Sequence, residues 1–390
     1  MISVEEALNN LFSLVAPLET EVVPLADAGG RVLAEGAEAR RDQPPFAASA
    51  MDGYAVIGTE AEVGARFTVI GESAAGHGFD GKVEPGQAVR IFTGAPVPVG
   101  ADRVVIQEDV TRDGNEITLT AHLEGRTHIR PAGNDFRIGD RVRAPRVLSP
   151  ADVALLAAMN VPEATVRRKP SVALISTGDE LVMPGEQPGP DQIIASNTFG
   201  LKAMLDGLGA NPRILPIARD TRASLETAFD LAQGADLIVT IGGASVGDHD
   251  LVGDVAADLG MQRAFYKVAM RPGKPLMAGR MAGTVMLGLP GNPVSAMVCG
   301  HIFMAPMIRV MLGLGASPAP RKIARLVHDI PQGGPREHYM RAEVQDGTIT
   351  PEPSQDSGLL SVLANANALM IRPAGDPPRQ AGDTMEYVPL

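Results

Sequence analysis

Cysteine is nearly absent from the 390 residues of this chain. Cys299 stands alone, which excludes an intrachain disulfide and any zinc or iron–sulfur site built on several thiolates. The seven histidines show neither a His-Glu-x-x-His pattern nor close pairing, so a transition-metal centre has little support. Any metal is expected to be a hard cation held by oxygen atoms, and a lone reduced thiol fits a cytoplasmic protein.

Basic side chains are also in short supply. Lys and Arg number 34 against 46 Asp and Glu, which gives a formal net charge of −12. Nucleic-acid binding draws much of its affinity from basic side chains that neutralise phosphates. We therefore expect no nucleic-acid partner.

Signals for secretion or membrane insertion are missing as well. The N-terminus lacks a basic segment followed by an apolar one, and Ser3 and Glu6 instead have the capping-box spacing of a helix start. The longest apolar stretch, residues 294–312, contains His301 and Arg309. It predicts a buried helix rather than a membrane span, so no membrane partner is expected.

Glycine and proline, by contrast, are abundant. The 43 glycines and 32 prolines predict many turns and glycine-built loops. A chain of this length is expected to form two to four structural units, and a hydrophobic content of 45% allows each unit its own core.

Three regions with different patterns follow one another. Residues 1–168 are predicted to form a β-rich N-terminal region, because residues 17–140 show short β-prone runs separated by Gly, Pro and Asp. Near its end, Ser149 followed by Pro150 and Asp152 predicts the start of a helix. Residues 169–315 alternate between apolar strands and helices, and residues 316–390 return to short strands typical of a small β-barrel or sandwich. The predicted fold is therefore multidomain α/β plus β, with a doubly wound α/β domain in the centre.

The central region has the pattern of a parallel sheet covered by helices. Its strands are continuous apolar runs, as expected when both faces of a sheet are buried. The predicted strands are residues 172–175, 213–217, 237–241, 265–268 and 285–289, and the predicted helices are residues 198–208, 222–233, 252–259 and 293–312. Ligands of such sheets bind beyond the carboxyl ends of the strands.

Two loops after strands carry carboxylates or glycines. The loop of residues 176–181, Ser-Thr-Gly-Asp-Glu-Leu, suits hydroxyl contacts to a phosphate and oxygen ligation of magnesium, or it is a plain glycine turn. Residues 242–247, Gly-Gly-Ala-Ser-Val-Gly, precede Asp248 and Asp250. Three glycines let backbone N–H groups approach an oxyanion, but a structural glycine turn explains this second loop equally well.

Two further loops carry cations or prolines. Lys267, Arg271 and Lys274 lie within eight residues, which favours an anion site over ordinary surface charge. Residues 288–295 form a rigid connection with two prolines that opens the last long helix. Together with Asp220, the four loops combine carboxylates with cationic and N–H donors, as in magnesium-assisted handling of a phosphate or pyrophosphate.

Motifs in fixed order carry a resemblance to a known family. They are Pro44-Pro-Phe, Ser49-Ala-Met-Asp-Gly-Tyr-Ala-Val56, Thr93-Gly-Ala-Pro-Val-Pro98, Gly133-Asn-Asp135, Ser176-Thr-Gly-Asp-Glu-Leu181, Gly242-Gly-Ala-Ser-Val-Gly247, Arg271-Pro-Gly-Lys-Pro275 and Leu289-Pro-Gly-Asn-Pro-Val-Ser295. Over essentially its whole length the chain resembles the molybdopterin molybdenumtransferases, bacterial counterparts of the gephyrin E domain.

The resemblance implies a reaction and an assembly. Enzymes of this family take adenylated molybdopterin and molybdate, cleave the pyrophosphate-type bond with Mg²⁺, release AMP and leave molybdenum on the pterin dithiolene. They are elongated homodimers of four subdomains, and the N-terminal subdomains are discontinuous in sequence. The active site lies between the α/β subdomain of one protomer and neighbouring subdomains of the other. Other proteins of molybdenum cofactor biosynthesis are possible partners.

The resemblance also assigns roles to residues of this chain. The catalytic set is Asp52, Asp135, Glu180, Asp220, Asp250 and Lys267, of which Glu180, Asp220 and Asp250 are the implied metal ligands. The substrate-binding set is Thr93, Ser245, Arg271, Lys274, Pro290, Pro293, Ser295, Arg341 and Ser357. Ala47 and Ala48 depart from the family's usual Asp-Asn pair, and Arg271 stands where lysine is common.

Two alternatives stay open from the sequence. The adenylyltransferase that loads AMP onto molybdopterin shares the α/β domain, but it usually consists of that domain alone. A non-catalytic scaffold is the other alternative, because the gephyrin relative also has that role. The N-terminal region and the C-terminal β region of this chain favour the molybdenumtransferase.

Overall fold

The computed structural model describes residues 1–123, 125–243 and 251–390. Within them the helices are α1 (Val4–Leu14), α2 (Pro150–Ala158), α3 (Asn197–Gly207), α4 (Arg222–Leu231), α5 (Leu251–Asp258), α6 (Pro293–Cys299), α7 (Ala305–Met311) and α8 (Leu360–Asn365). The strands are β1 (Thr20–Pro24), β2 (Val32–Leu33), β3 (Ala37–Glu38), β4 (Ala48–Ser49), β5 (Gly53–Val56), β6 (Arg66–Ser73), β7 (Gln87–Ile91), β8 (Arg103–Ile106), β9 (Val110–Asp113), β10 (Glu116–Leu119), β11 (Ile129–Arg130), β12 (Arg141–Val142), β13 (Arg146–Val147), β14 (Glu163–Arg167), β15 (Ser171–Ser176), β16 (Leu181–Val182), β17 (Ile193–Ile194), β18 (Asn211–Ile214), β19 (Leu237–Ile241), β20 (Gln262–Tyr266), β21 (Met270–Arg271), β22 (Met277–Met281), β23 (Thr284–Leu289), β24 (Lys322–Leu326), β25 (Glu337–Gln345), β26 (Thr348–Pro351), β27 (Ala368–Arg372) and β28 (Thr384–Pro389).

The chain divides into two compact units. One unit is the continuous segment Val22–Thr165, and the other combines Met1–Glu21 with Val166–Leu390. The chain passes from one unit to the other inside β1 and again inside β14. The domain boundaries expected from the sequence, near residues 169 and 316, stay predictions.

The unit Val22–Thr165 is β-rich, as predicted. Its six-stranded sheet has the order β8-β5-β7-β6-β10-β9. Successive residues of β5 point to opposite faces, so Tyr54 and Val56 enter one apolar cluster and Ala55 enters another. Both faces of the sheet are therefore buried at β5.

The α/β part of the second unit contains a mixed sheet of order β18-β15-β19-β23-β22-β20. The strands from β18 to β23 are parallel, as predicted, but β22 adds to β23 in antiparallel direction and β20 adds to β22 in the same way. The expected strand 265–268 is wrong in extent, since β20 ends at Tyr266. Strand β22 was missed because Gly279 and Arg280 interrupt its apolar pattern.

Local signals located two helix starts correctly. The Ser3 N–H donates to Glu6 Oε2 at 2.8 Å, and Glu6 N–H donates to Ser3 Oγ at 3.0 Å. The same reciprocal pair joins Ser149 and Asp152 at the start of α2. Capping boxes involve neighbours in the chain, so the sequence alone is sufficient to find them.

The last long helix runs from Pro293 to Met311 through α6, a π-helical turn at Gly300–Met304 and α7. Its 19 residues have the length and the mean hydropathy, 1.5, of a membrane span. However, 78% of that apolar window is buried inside the structure. Such burial is typical of a core helix, as the sequence predicts.

The C-terminal region is a small barrel, which confirms the predicted fold. Strands β25, β26, β24, β28 and β27 pair in that order, and pairing of β27 with β25 closes the circle. Strand β21 of the α/β part adds to β25 in parallel, where Arg271 lies opposite His338. This pairing holds the loop that carries Lys267, Arg271 and Lys274 beside the barrel.

Candidate active site

A cleft of about 850 Å³ lies at the carboxyl ends of β15, β19 and β23. This is the position expected for a ligand site in an α/β sheet. Five predicted site residues line the cleft together: Glu180, Asp220, Pro290, Pro293 and Ser295. The sequence thus predicted two carboxylates and one helix-opening loop that the structure brings to the same place.

The loop after β15 presents Glu180 at the cleft. Gly178 has a φ of +143°, and a side chain there would collide with the Glu180 carboxylate. Only glycine therefore allows the carboxylate to lie back over this turn. Ser176 and Thr177, which line the cleft before it, are both nearly fully buried.

The loop between β18 and α4 supplies Asp220. Its backbone N–H donates to Asp179 Oδ1 at 3.1 Å, which joins this loop to the one after β15. The joined loops come from neighbouring parallel strands of the sheet, because β15 pairs with β18. Glu180 and Asp220 are thereby held at one edge of the cleft.

The rigid loop before α6 forms another part of the cleft lining. Asn292 occupies the N-cap position and Pro293 the first helical position. Ser295, only 4% exposed, follows in the first turn. Asn197, which sequence reasoning missed, donates its side-chain amide to the Gly291 carbonyl at 2.7 Å and holds this loop against α3.

Ser357 is also brought to this loop. Asn292 donates its side-chain amide to Ser357 Oγ at 3.1 Å, and the Val294 N–H donates to the Ser357 carbonyl at 3.2 Å. The predicted C-terminal residue therefore lies beside the N-terminus of α6. This long-range contact could be found from the sequence only through the family resemblance.

Arg341 is the most unusual charged residue of the C-terminal barrel. Its side chain is fully buried, and Nη2 donates to the Ser354 carbonyl at 2.9 Å. Nε and Nη1 have no hydrogen-bond partner among the described residues. A buried guanidinium with two unused donors is suited to an anionic ligand.

Further arginines surround this barrel edge. His338 lies between Arg271 of β21 and Arg372 of β27 in the sheet register. Burial, together with Arg271, Arg341, Arg372 and Arg336, lowers the pKa of His338 to about 4. The imidazole is therefore neutral near pH 7 and adds no charge to this set of cations.

The three predicted cations Lys267, Arg271 and Lys274 do not line the cleft among the residues that the structure describes. Lys267 has a φ of +74°, and its ammonium lies 4.9 Å from the centre of the Tyr266 ring. Pro275, next to Lys274, does line the cleft. Roles for the three cations stay predictions.

The remaining predicted residues in the unit Val22–Thr165 lie in loops that are joined to one another. Asp52 Oδ1 accepts from the backbone N–H and from the hydroxyl of Thr93, both at 2.7 Å. These bonds to Thr93 lower the pKa of the Asp52 carboxyl. The backbone N–H of Asp135 donates to the Gln43 carbonyl at 2.9 Å, close in sequence to the Asp52 motif.

The motif around Asp52 is ordered although Ala47 and Ala48 replace the family's usual Asp-Asn pair. The Val97 N–H donates to the Ala47 carbonyl at 2.8 Å, and Ala48 is buried in β4 opposite Arg130. The Ser49 hydroxyl donates to the Met51 carbonyl at 2.6 Å. Backbone pairing therefore orders the loop without the family's Asp-Asn pair.

Two predicted residues, Ser245 and Asp250, lie outside the described residues. In the part of the chain that is described, no group of three His, Cys, Asp or Glu side chains could hold a metal. The cleft nevertheless combines the carboxylates of Glu180 and Asp220 with the Thr177 hydroxyl. Such an all-oxygen donor set fits Mg²⁺ in chemistry.

The fold and the cleft define the class of the chain: a multidomain α/β protein with a ligand-sized cleft at the ends of parallel strands. Family models agree over nearly its whole length. The MoeA N-terminal region (domain I and II) matches residues 2–160, a probable molybdopterin binding domain matches residues 173–310, and the MoeA C-terminal region (domain IV) matches residues 324–390.

Individual relatives agree with these matches. A molybdopterin molybdenumtransferase of Nostoc sp. is 36% identical over 96% of this chain and 91% of its own length. One of Haemophilus influenzae is 37% identical over 80% and 78%. The crystal structure of a molybdopterin biosynthesis MoeA protein from Pyrococcus horikosii has a TM-score of 0.83 at 30% identity and covers 100% of this chain and 99% of its own. The chain belongs to the molybdopterin molybdenumtransferase family, which confirms the resemblance carried by its motifs.

Proposed function

We propose that the chain transfers molybdenum from molybdate to adenylated molybdopterin with Mg²⁺-dependent release of AMP. One observation carries the proposal: Glu180 and Asp220 line one cleft with the loop that opens α6. Carboxylates that can hold a cation thus share a cleft with a helix N-terminus, which favours phosphate oxygens. This combination suits cleavage of a phosphoanhydride.

In this proposal, Glu180, Asp220 and Asp250 hold Mg²⁺. The bound cation would neutralise charge on the phosphate oxygens of the adenylated substrate. The Thr177 hydroxyl and the first turn of α6, with Ser295, would orient the phosphates. Pro290 and Pro293 keep that turn rigid, which reduces the ordering cost of substrate binding.

Molybdate is proposed to bind near the barrel edge. The unused Nε and Nη1 of Arg341 are donors for an oxyanion, and Arg271, Lys274 and Ser357 would add charge and a hydroxyl. Lys267 is assigned to stabilise charge that develops during the transfer.

Asp52, Thr93 and Asp135 are proposed to complete the substrate site, and Ser245 to contribute an anion contact. We further propose that the enzyme is a cytoplasmic homodimer. Size-exclusion chromatography with light scattering is expected to give the mass of two chains. A monomeric mass would contradict the dimer without affecting the chemistry.

The decisive experiment supplies purified protein with adenylated molybdopterin, molybdate and Mg²⁺. We expect release of AMP and formation of active molybdenum cofactor, and loss of both when a chelator removes Mg²⁺. Glu180→Gln and Asp220→Asn, which keep the shape but remove the charge, are expected to lower the rate at least about 100-fold. Transfer of AMP from ATP to molybdopterin would instead support the adenylyltransferase alternative.

A further inference from the structure

Arg219, next to Asp220, joins two loops of the cleft. Its Nη1 donates to the carbonyl oxygens of Gly178, Asp179 and Leu181 at 3.4, 3.0 and 3.0 Å. These three carbonyls stand on both sides of Glu180 in the chain. One guanidinium therefore fixes the backbone that carries the carboxylate.

A return contact makes the connection reciprocal. Asp179 Oδ1 accepts from the backbone N–H of Asp220 at 3.1 Å, and the Gly178 N–H donates to the Ala218 carbonyl at 3.0 Å. The backbone N–H of Arg219 donates to Ser224 Oγ at 2.9 Å, which ties the arginine to α4. Neither the Arg219 nor the Asp179 side chain lines the cleft among the described residues.

We propose that Arg219 and Asp179 are positioning residues that hold Glu180 and Asp220 at the spacing needed for a divalent cation. The inference rests on the proposed function of this cleft. The carboxylates of Asp179, Glu180 and Asp220, which lie on two adjacent loops, repel one another when no cation is bound. The positively charged guanidinium of Arg219 and the reciprocal hydrogen bonds oppose that repulsion. Less reorganisation of the two loops is then required when the metal binds.

Arginine is suited to this role in a way that lysine is not. The guanidinium is planar, always charged and able to keep several donors in fixed directions, whereas the lysine ammonium is a compact charge on a flexible stem. Arg219→Lys is therefore expected to fall between the wild type and Arg219→Gln. Asp179→Asn keeps an acceptor oxygen for the Asp220 N–H, whereas Asp179→Ala removes it.

The test uses the full chain and three measurements. Hydrogen–deuterium exchange of residues 178–181 reports loop order, titration with Mn²⁺ followed by electron paramagnetic resonance reports cation affinity, and the Mg²⁺ dependence of AMP release reports function. The matched control is Arg222→Gln, because Arg222 is a nearby exposed arginine whose guanidinium pairs with Asp258 instead.

For Arg219→Gln we expect faster exchange in 178–181 and a Kd for Mn²⁺ raised about tenfold. The Mg²⁺ needed for half-maximal AMP release should rise by a similar factor, while saturating Mg²⁺ restores most of the maximal rate. Asp179→Ala should show a smaller effect in the same direction, with Asp179→Asn close to the wild type. Arg222→Gln should match the wild type in all three measurements.

Unchanged exchange or unchanged Mn²⁺ affinity in both Arg219→Gln and Asp179→Ala would overturn the inference, as would a wild type that binds no Mn²⁺. If the wild type binds Mn²⁺ but releases no AMP, the proposed function fails instead. The Mn²⁺ titration of the variants would then still decide whether Arg219 positions the two carboxylates. Asp179→Ala provides the answer if Arg219→Gln does not fold.

Discussion

At the scale of single residues, hydrogen bonds from close neighbours shift the pKa of a side chain. Asp52 is the clearest case, because one of its oxygens accepts from both the N–H and the hydroxyl of Thr93. Hydrogen bonds to the ionised form favour it, so the carboxylate is kept charged and oriented. The proposal that Asp52 contributes to the substrate site uses this ionised form.

Thr93→Val removes the hydroxyl bond while leaving the backbone bond in place. We expect the pKa of Asp52 to rise towards its ordinary value, because the ionised form loses one donor. A carboxyl-carbon NMR titration would measure the change. Thr93→Ser keeps a hydroxyl and should restore the low pKa; an unchanged value in Thr93→Val would show that the backbone bond alone is responsible.

The lowered pKa of His338 predicts how the stability of the fold depends on pH. Its pKa falls from 6.5 in its ordinary state to about 4 in the fold, through burial and neighbouring arginines. The unfolded chain therefore takes up a proton that the folded chain resists, and stability is lost as the pH falls from about 6.5 to 4. The loss from this residue is of the order of 1–3 kcal/mol.

Urea unfolding of the wild type and of His338→Asn between pH 4 and 7 would measure this loss. The difference in free energy of unfolding between the two proteins should change with pH only below about 6.5. A constant difference over the whole range would contradict the lowered pKa.

At the scale of elements, an ion triad built on the buried pair of Arg372 and Asp376 holds the end of the barrel. Asp376 is 3% exposed and accepts from Arg372, itself 4% exposed, and from Arg379. Arg372 also donates to the carbonyls of Pro331 and Pro377, both at 3.0 Å. The triad thus joins strand β27 to two loops.

Asp376→Asn should destabilise the chain by about 3 kcal/mol, because a buried guanidinium loses its counter-charge. Chemical denaturation would give the value. The control is Glu386→Gln, which breaks an exposed ion pair with Arg321 and should cost less than about 1 kcal/mol. Equal effects in the two variants would mean that burial of the pair of Arg372 and Asp376 adds nothing.

The elements also show which features of the fold and of the cleft can be predicted from the sequence and which cannot. The helix starts at Ser3 and Ser149 were predicted because capping boxes are local. The cleft residues Glu180 and Asp220 were predicted because strand-end loops meet at one edge of a parallel sheet. Arg219 was missed, since its role depends on carbonyl groups about 40 residues away, which no side-chain pattern reveals.

At the scale of the whole molecule, the segment Val22–Thr165 has the properties of an independent folding unit. It is continuous in sequence, and its six-stranded sheet has apolar clusters on both faces. A unit of this size is large enough to bury its own core.

We expect a chain of residues 22–165 to fold alone, with a cooperative thermal transition and a dispersed amide NMR spectrum. A chain of residues 1–144 is a control of matched length, because it lacks α2 and β14. Absence of a transition in residues 22–165, or an equally good one in residues 1–144, would contradict an independent unit.

The solitary thiol of Cys299 has a practical consequence at this scale. It is fully buried in α6, and burial raises its pKa, so a labelling reagent finds neither access nor thiolate in the folded state. Since the chain has no second cysteine, each labelled molecule records one opening that exposes the buried thiol of α6. The rate of Cys299 labelling therefore reports how often this part of the core opens. A substrate that stabilises the cleft should lower that rate.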